Sequence, residues 1–390
     1  MRIAFFTNNY LPNPYGVSTS VDGFARGLRD LGHEVYIFAP HWKGDEAFAD
    51  AYTFRYPSID VPTKVPFSLA LPLSPELDRV ISGLEFDIIH AQHPNILGTQ
   101  AKRWAHKKKI PIVFTWHSFY DSYAHYVSFI PERIASKWVI DNAAHFASTV
   151  DRVIFPTASV QTLLGDIVEH RRISVVASGV DEELFANPDP VKIRAQYDIP
   201  HDAQLLVSIS RLSQEKNVLF LARSIALFLQ DHPHVYFLFC GDGDLREEVE
   251  EIFRLRGLLH RVSFPGKIER CDVKHYLSAS DVFVYASTSE TQGTIITEAM
   301  YCGVPIVAVR SSGITDIVED GVSGILVKEI VGDFTYALER IVFDQAFRES
   351  LSVAASARAH ALFTVTTCTQ KLVTVYEKVL RDFDTKSKSQ

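Results

Sequence analysis

Short apolar runs rich in β-branched residues alternate with longer amphipathic stretches along almost the whole chain, and this alternation constrains the fold most. Strands are predicted over residues 2–7, 34–39, 87–91, 112–115, 152–156 and 173–176, and again over 205–210, 236–240, 262–264, 282–285, 306–308 and 324–327. Amphipathic stretches between them include 21–31, 218–230 and 244–256. Strand–helix–strand alternation implies parallel sheets with helices on both faces. Runs such as VYFLFC and VFVYA are apolar on both sides, as a covered parallel sheet requires.

The pattern breaks between residues 181 and 200, where Pro188, Pro190 and Pro200 stand among polar residues. The chain therefore reads as α/β: two Rossmann-like doubly wound parallel-sheet domains over 1–180 and 201–365, joined by a connector at 181–200. Leu372, Val375, Tyr376 and Val379 keep helical spacing, so 366–390 reads as a final helix that crosses back, with a polar tail. A length of 390 residues suits two or three domains.

Composition narrows the function. Hydrophobic residues at 47% and charged residues at 22% exclude a disordered or fibrous chain. The longest apolar runs are strand-sized, so no membrane-spanning helix is predicted, and the N-terminus does not read as a signal peptide. A net charge of −8 argues against a dedicated nucleic-acid binder. Cys240, Cys271, Cys302 and Cys368 lie far apart, so neither a zinc knuckle nor a redox dithiol is expected. A cytoplasmic, multi-domain enzyme fits best.

In doubly wound sheets ligands bind where strands end and helices begin, so the chemistry belongs in those loops. The first, 8–19, contains Gly16 with Ser18 and Thr19. It is either a turn leading to a helix capped by these hydroxyls or an anion site at that helix's N-terminus. The second reads SRLSQEKN. Arg211 and Lys216 follow a buried strand there, as a diphosphate-neutralising pair or as solvated surface charges. The third reads CGDGDLREEV. Gly241 and Gly243 would let a base or phosphate approach the backbone. Asp242 and Asp244 admit a metal-binding reading, but Asp244 and Glu247 have capping-box spacing, which favours Asp244 as a helix cap.

The most informative loop lies within YASTSETQGTIITEAMYCGVPIVA, residues 285–308. A strand ends near Tyr285 and a helix is predicted to start at Thr294. The amides after Gly293, on Thr294 and Ile295, suit a phosphate. Glu290 lies in the loop and Glu298 eight positions on, in the helix. A carboxylate there can accept both hydrogen bonds of a vicinal diol such as a ribose. The competing reading is one loop and one surface glutamate.

This segment resembles the retaining glycosyltransferases of family four, which have the GT-B fold of two facing Rossmann-like domains around a cleft. The residues that carry the resemblance are Glu290, Gly293, Glu298, Ala299, Met300, Gly303 and Pro305. It extends through Gly32-His33-Glu34-Val35, the run from Asp87 to His93, Thr115-Trp116-His117, Gly179-Val180-Asp181 with Phe185, the pair Arg211 and Lys216, and Glu319-Asp320-Gly321 with Gly324. Ser178 and Asp316 depart from the usual Asn and Glu. The resemblance implies a nucleotide-sugar donor, transfer with retention and no cofactor or metal. It implies that Arg211 and Lys216 contact the diphosphate, Glu298 the ribose and Glu290 the transferred sugar. Gly16 would lie in a loop closing over the phosphates, and His117 near the transferred sugar. Read alone, His117 is either a structural imidazole or a cleft residue.

Gln292 before Gly293, and the run Glu215-Lys216-Asn217, are similar to bacterial diacylglycerol glucosyltransferases, which implies UDP-glucose as donor and a membrane lipid as acceptor. Lys102, Arg103, Trp104, Lys107, Lys108 and Lys109 cluster on a predicted helix, as an anionic-lipid surface or a solvated helix face. The apolar, Pro-rich segment 59–75 suits a lipid surface or a covered loop. A peripheral position on the inner face of the cell membrane follows. Alternatives are phosphatidylinositol mannosyl transfer, a soluble acceptor, a nucleotide-sugar isomerase or epimerase on the same fold, and a catalytically silent binder. No nucleic-acid partner is expected, and no oligomeric state is assigned.

Overall fold

The computed structural model describes residues 1–13, 16–61, 67–117, 132–164 and 168–387. The chain forms two compact units, Met1–Gly179 with Val365–Gln390, and Val180–Thr364.

In the first unit the strands are β1 (Arg2–Phe6), β2 (Glu34–Pro40), β3 (Thr53–Tyr56), β4 (Ser58–Val61), β5 (Phe67–Ala70), β6 (Ile88–Ala91), β7 (Ile112–Thr115), β8 (Arg152–Phe155) and β9 (Ile173–Val175). Its helices are α1 (Gly16–Asp30), α2 (Pro75–Gly83), α3 (Leu97–Lys108), α4 (Glu132–Ser148) and α5 (Ala158–Leu164). Seven strands form one parallel sheet in the order β3-β2-β1-β6-β7-β8-β9. β4 and β5 pair as a separate antiparallel hairpin, with Ile59 opposite Leu69. The strand β3 and this hairpin were not predicted. β3 is four residues, TFRY, with polar and apolar positions mixed, and it sits on the sheet edge, where no second apolar face is needed.

The second unit holds α6 (Pro190–Gln196), α7 (Val218–Asp231), α8 (Arg246–Arg254), α9 (Val273–Ala279), α10 (Thr294–Tyr301), α11 (Ser312–Ile317), α12 (Val331–Phe343) and α13 (Gln345–Leu362). Its strands β10 (Gln204–Ile209), β11 (Val235–Cys240), β12 (Val262–Gly266), β13 (Val282–Tyr285), β14 (Ile306–Val309) and β15 (Gly324–Val327) form a parallel sheet in the order β12-β11-β10-β13-β14-β15. The stretch 181–200 is not a bare connector. It belongs to this unit and contains α6, capped by Asp189, whose side chain accepts from the Lys192 amide.

Both sheets are apolar on their two faces, as the runs of the sequence require. One core of the first unit, with Phe6, Phe38, Trp104, Phe114 and Phe155, lies against α3. The other, with Phe5, Val21, Leu28 and Ile37, takes in Leu372, Tyr376 and Val379 of the last helix, α14 (Val365–Ser387). α1 and α14 pack closely at Gly27, where a Cβ would overlap Thr369. The buried His90 bridges Tyr376 Oη (2.6 Å) and Thr115 Oγ1 (2.7 Å), fixing α14 to β6 and β7.

Strand order reverses between β1 and β6 and between β10 and β13. The carboxyl ends of strands beside such a reversal are the binding positions of doubly wound sheets. In the second unit these are the loops after β10 and β13.

Candidate active site

The loop after β10 turns through Gln214–Lys216 and reaches α7 by way of Asn217, held at φ 54°. The loop after β13 meets it. Lys216 Nζ donates to Glu290 Oε1 at 2.5 Å, and the Tyr285 hydroxyl donates to the same oxygen at 2.8 Å. Ser287 and Ser289 hydroxyls both donate to the Glu215 carbonyl at 3.2 Å, tying the loops by a second set of bonds. Arg211 pairs with Glu215 at 2.8 Å. Behind the loop, Gly313 donates its amide to the Glu290 carbonyl at 3.1 Å, and a Cβ at Gly313 would overlap that carbonyl.

Burial on its own would push the Glu290 carboxyl up. The Lys216 ammonium, with hydrogen bonds from Lys216, Ser287 and Tyr285, outweighs burial and holds it below the usual range. The Tyr285 phenol moves the other way, raised first by burial and then by the Glu290 charge. Glu290 is therefore a fixed anion whose one oxygen faces a cation and a phenol.

α10 starts at Thr294, as predicted. Gly293 precedes it at φ 76° and supplies the left-handed turn that opens the helix. Glu298 lies one turn in, buried, and Arg270 grips it through both nitrogens, at 2.8 and 2.5 Å. Sequence reasoning missed Arg270, Tyr285, Glu215 and Gly313. Arg270 follows the carboxyl end of β12, so the rule that singled out Arg211 and Lys216 would have found it.

Several expectations change. Gly241, at φ 136°, and Gly243 are required by their own chain, because Cβ atoms there would overlap the carbonyls of Ser210 and Leu212. The Leu212 amide bonds the Asp242 carbonyl at 3.0 Å, so the two loops are zipped together at these glycines. Asp244 is not the cap of α8, which starts at Arg246 with Leu245 at its N-cap and no side-chain capping bond. Among the described residues Asp242 and Asp244 belong to no group of three or more metal-ligating side chains. Ser18 and Thr19 lie inside α1 rather than capping it, and Gly16 opens that helix, exposed.

His117 and Gly16 belong to the first unit. His117 Nε2 is 2.7 Å from Gln92 Oε1. Burial first, then His93 and His90, holds its imidazole well below the ordinary value, so the ring is neutral near pH 7.

Two family models match the chain. "Glycosyltransferase Family 4" matches residues 14–184, and "Glycosyl transferases group 1" matches residues 191–358. The sulfoquinovosyl transferase SQD2 of Arabidopsis thaliana is 30% identical over 370 residues, 91% of this chain and 69% of that protein. This chain is a family-four glycosyltransferase.

The alpha-monoglucosyldiacylglycerol synthase of Streptococcus pneumoniae is 28% identical to this glycosyltransferase over 84% of its chain and 75% of the synthase. In fold it is similar to the crystal structure of Anabaena HepE in complex with UDP and glucose, with a TM-score of 0.78, 22% identity, and 97% and 100% of the two chains covered. That likeness supports the GT-B fold class for its two parallel-sheet units.

The glycosyltransferase's basic helix is not the amphipathic surface element expected. Trp104 is fully buried in the core. Arg103 forms a double ion pair with Asp78 of α2, at 3.2 and 2.8 Å, and Lys108 donates to the Ser82 and Leu84 carbonyls. Lys107 and Lys109 are exposed and Lys102 is half-buried. In the 59–75 segment, residues 62–66 lie outside the described residues, while Ile59 and Leu71 of the hairpin region are exposed and Leu73 is 81% exposed. No helix among the described residues is long and apolar enough to cross a membrane.

Proposed function

We propose that this glycosyltransferase moves glucose from UDP-glucose to diacylglycerol or a similar membrane lipid, with retention at the anomeric carbon. The observation that carries the donor half is the Lys216–Glu290 contact beside the first turn of α10, with Glu298 eight residues beyond Glu290. Breaking the sugar–phosphate bond leaves positive charge on the sugar and negative charge on the departing diphosphate. Lys216, Arg211 and the amides of Gly293, Thr294 and Ile295 are the groups that would stabilise the leaving group. Glu290, ionised and fixed, would hold the hydroxyls of the sugar, and Glu298 the ribose diol.

Three things support the choice of glucose and lipid: the name of the pneumococcal relative, the UDP and glucose in the HepE complex, and the exposed surface features of the first unit. Leu73, Leu71 and Ile59 offer apolar contact. Lys107 and Lys109 offer the electrostatic part, about 1 kcal/mol each at an anionic surface. The enzyme would then work peripherally at a membrane face.

The test is incubation with radiolabelled UDP-glucose and vesicles of phosphatidylglycerol containing diacylglycerol, followed by separation of the lipids. The label should enter a lipid product, and only slowly from UDP-galactose or GDP-mannose. Preferred transfer from GDP-mannose, transfer to a water-soluble acceptor alone, or donor conversion without any acceptor would each reject this reading.

A further inference from the structure

Arg270 stands outside the set of groups assigned above, yet it is the cation that meets Glu298. It leaves the loop after β12 and meets Glu298 with two parallel hydrogen bonds, at 2.8 and 2.5 Å. Its guanidinium lies over the Phe185 ring, 5.2 Å from the centroid, and Phe185 in turn packs edge-on against Tyr301 at the end of α10. The side chain is thus held between the helix that carries Glu298 and the segment at the start of the unit. Its Nε is buried and has no hydrogen-bond partner among the described residues. The two parallel bonds commit the fork to the carboxylate.

A fork–fork pair fixes both oxygens of a carboxylate in one plane, which a lysine cannot do. It uses one lone pair on each oxygen and leaves one on each. A vicinal diol needs two acceptors at fixed spacing, and a buried carboxylate free to rotate would offer them only part of the time. We infer that Arg270 is a positioning residue for the donor, holding Glu298 in the orientation that reads the two ribose hydroxyls. This rests on the assignment of Glu298 to the ribose made above. Arg270 acts through Glu298, so its loss should weaken recognition of the 2′-hydroxyl more than it slows the transfer step.

The probes are UDP and 2′-deoxy-UDP, titrated calorimetrically into the full chain. The wild type should prefer UDP by about tenfold or more, the scale of a lost charge-assisted hydrogen bond. In Arg270→Lys, which keeps the charge and loses the fork, UDP should bind roughly tenfold more weakly and 2′-deoxy-UDP about as before, so the preference falls toward unity. Glu298→Gln should lose the same preference. With saturating UDP-glucose, kcat of Arg270→Lys should change by less than about threefold while KM rises. The ratio of two affinities within one protein does not depend on how much of a variant is folded, so a destabilised variant still decides the question. Arg270→Lys with wild-type affinity and preference overturns the proposal, as does a variant that weakens both nucleotides equally. A wild type that binds both equally overturns the ribose assignment and the proposal with it. A wild type that binds neither overturns the donor reading itself.

Discussion

Lys216→Ala should reduce glycosyl transfer by about a hundredfold or more. Two losses combine. A charge-assisted contact to the donor diphosphate is worth roughly 1.5–3 kcal/mol. A fixed cation at a leaving group that gains charge contributes about 10²–10³ in rate beyond binding. The variant also removes the cation that keeps Glu290 ionised. Ser287 and Tyr285 still oppose burial of Glu290, but the largest opposing cause is gone, so its carboxyl moves up from its lowered position. The sign of the pH effect follows. In the wild type a lowered carboxyl contributes stability that is present above its unfolded pKa and lost as pH falls through the lower folded value. In the variant the carboxyl has moved up, so less of that stability remains above the unfolded pKa. The gap in Tm between the two proteins should therefore narrow as pH falls below the ordinary carboxylate range and widen toward pH 7. Scanning calorimetry at several pH values, with steady-state transfer assays, measures both. Unchanged turnover would show that Lys216 does not serve the donor, and a gap in Tm that does not vary with pH would show that it does not govern Glu290.

The second large effect is structural. Gly241→Ala should lower the Tm of the protein by roughly 10 °C, from a cost of about 4 kcal/mol or more. Two causes add. At φ 136° the backbone is in a region that side chains avoid, worth about 1–3 kcal/mol. The new Cβ would also overlap the Ser210 carbonyl, which cannot retreat because the Ser210 amide is bonded to the Cys240 carbonyl at 3.0 Å. If the glycine instead served ligand approach alone, the variant would melt like the wild type and only nucleotide affinity would fall. Calorimetry of the ligand-free variant separates the two.

Sequence and structure agree where one local signal decides the outcome. VYFLFC and VFVYA are apolar on both faces and became central strands β11 and β13. Gly293 and Thr294 mark the start of α10 because a left-handed turn and a helix start are local events. Pairings between distant residues were not legible. Lys216 and Glu290 are 74 positions apart, and Arg270 and Glu298 belong to different loops. The partner of a buried charge is decided by strand order, which periodicity does not specify. The glycines of the loop after β11 suggested the approach of a base or phosphate, and the structure shows the loop after β10 against them.

Trp104 illustrates a misreading the sequence itself could have prevented. Its basic neighbours suggested an exposed face, yet Leu97, Ala101, Trp104 and Ala105 form the buried stripe at helical spacing. Charges adjacent in sequence point around the helix, and Lys107 lies over the buried ring, 4.4 Å from its centroid. The short strand β3 lacked any such stripe, and its edge position explains why none is needed.

The central claim is that the second unit grips the nucleotide diphosphate through the loops after β10 and β13 while Glu290 and Glu298 flank it. A crystal structure of the protein grown with UDP tests this most directly. The phosphates should lie within hydrogen-bond reach of Lys216 Nζ, the Arg211 guanidinium and the first amides of α10, with the ribose diol on Glu298. Phosphates bound elsewhere, with Lys216 out of their reach and Glu298 untouched by the ribose, would contradict the account.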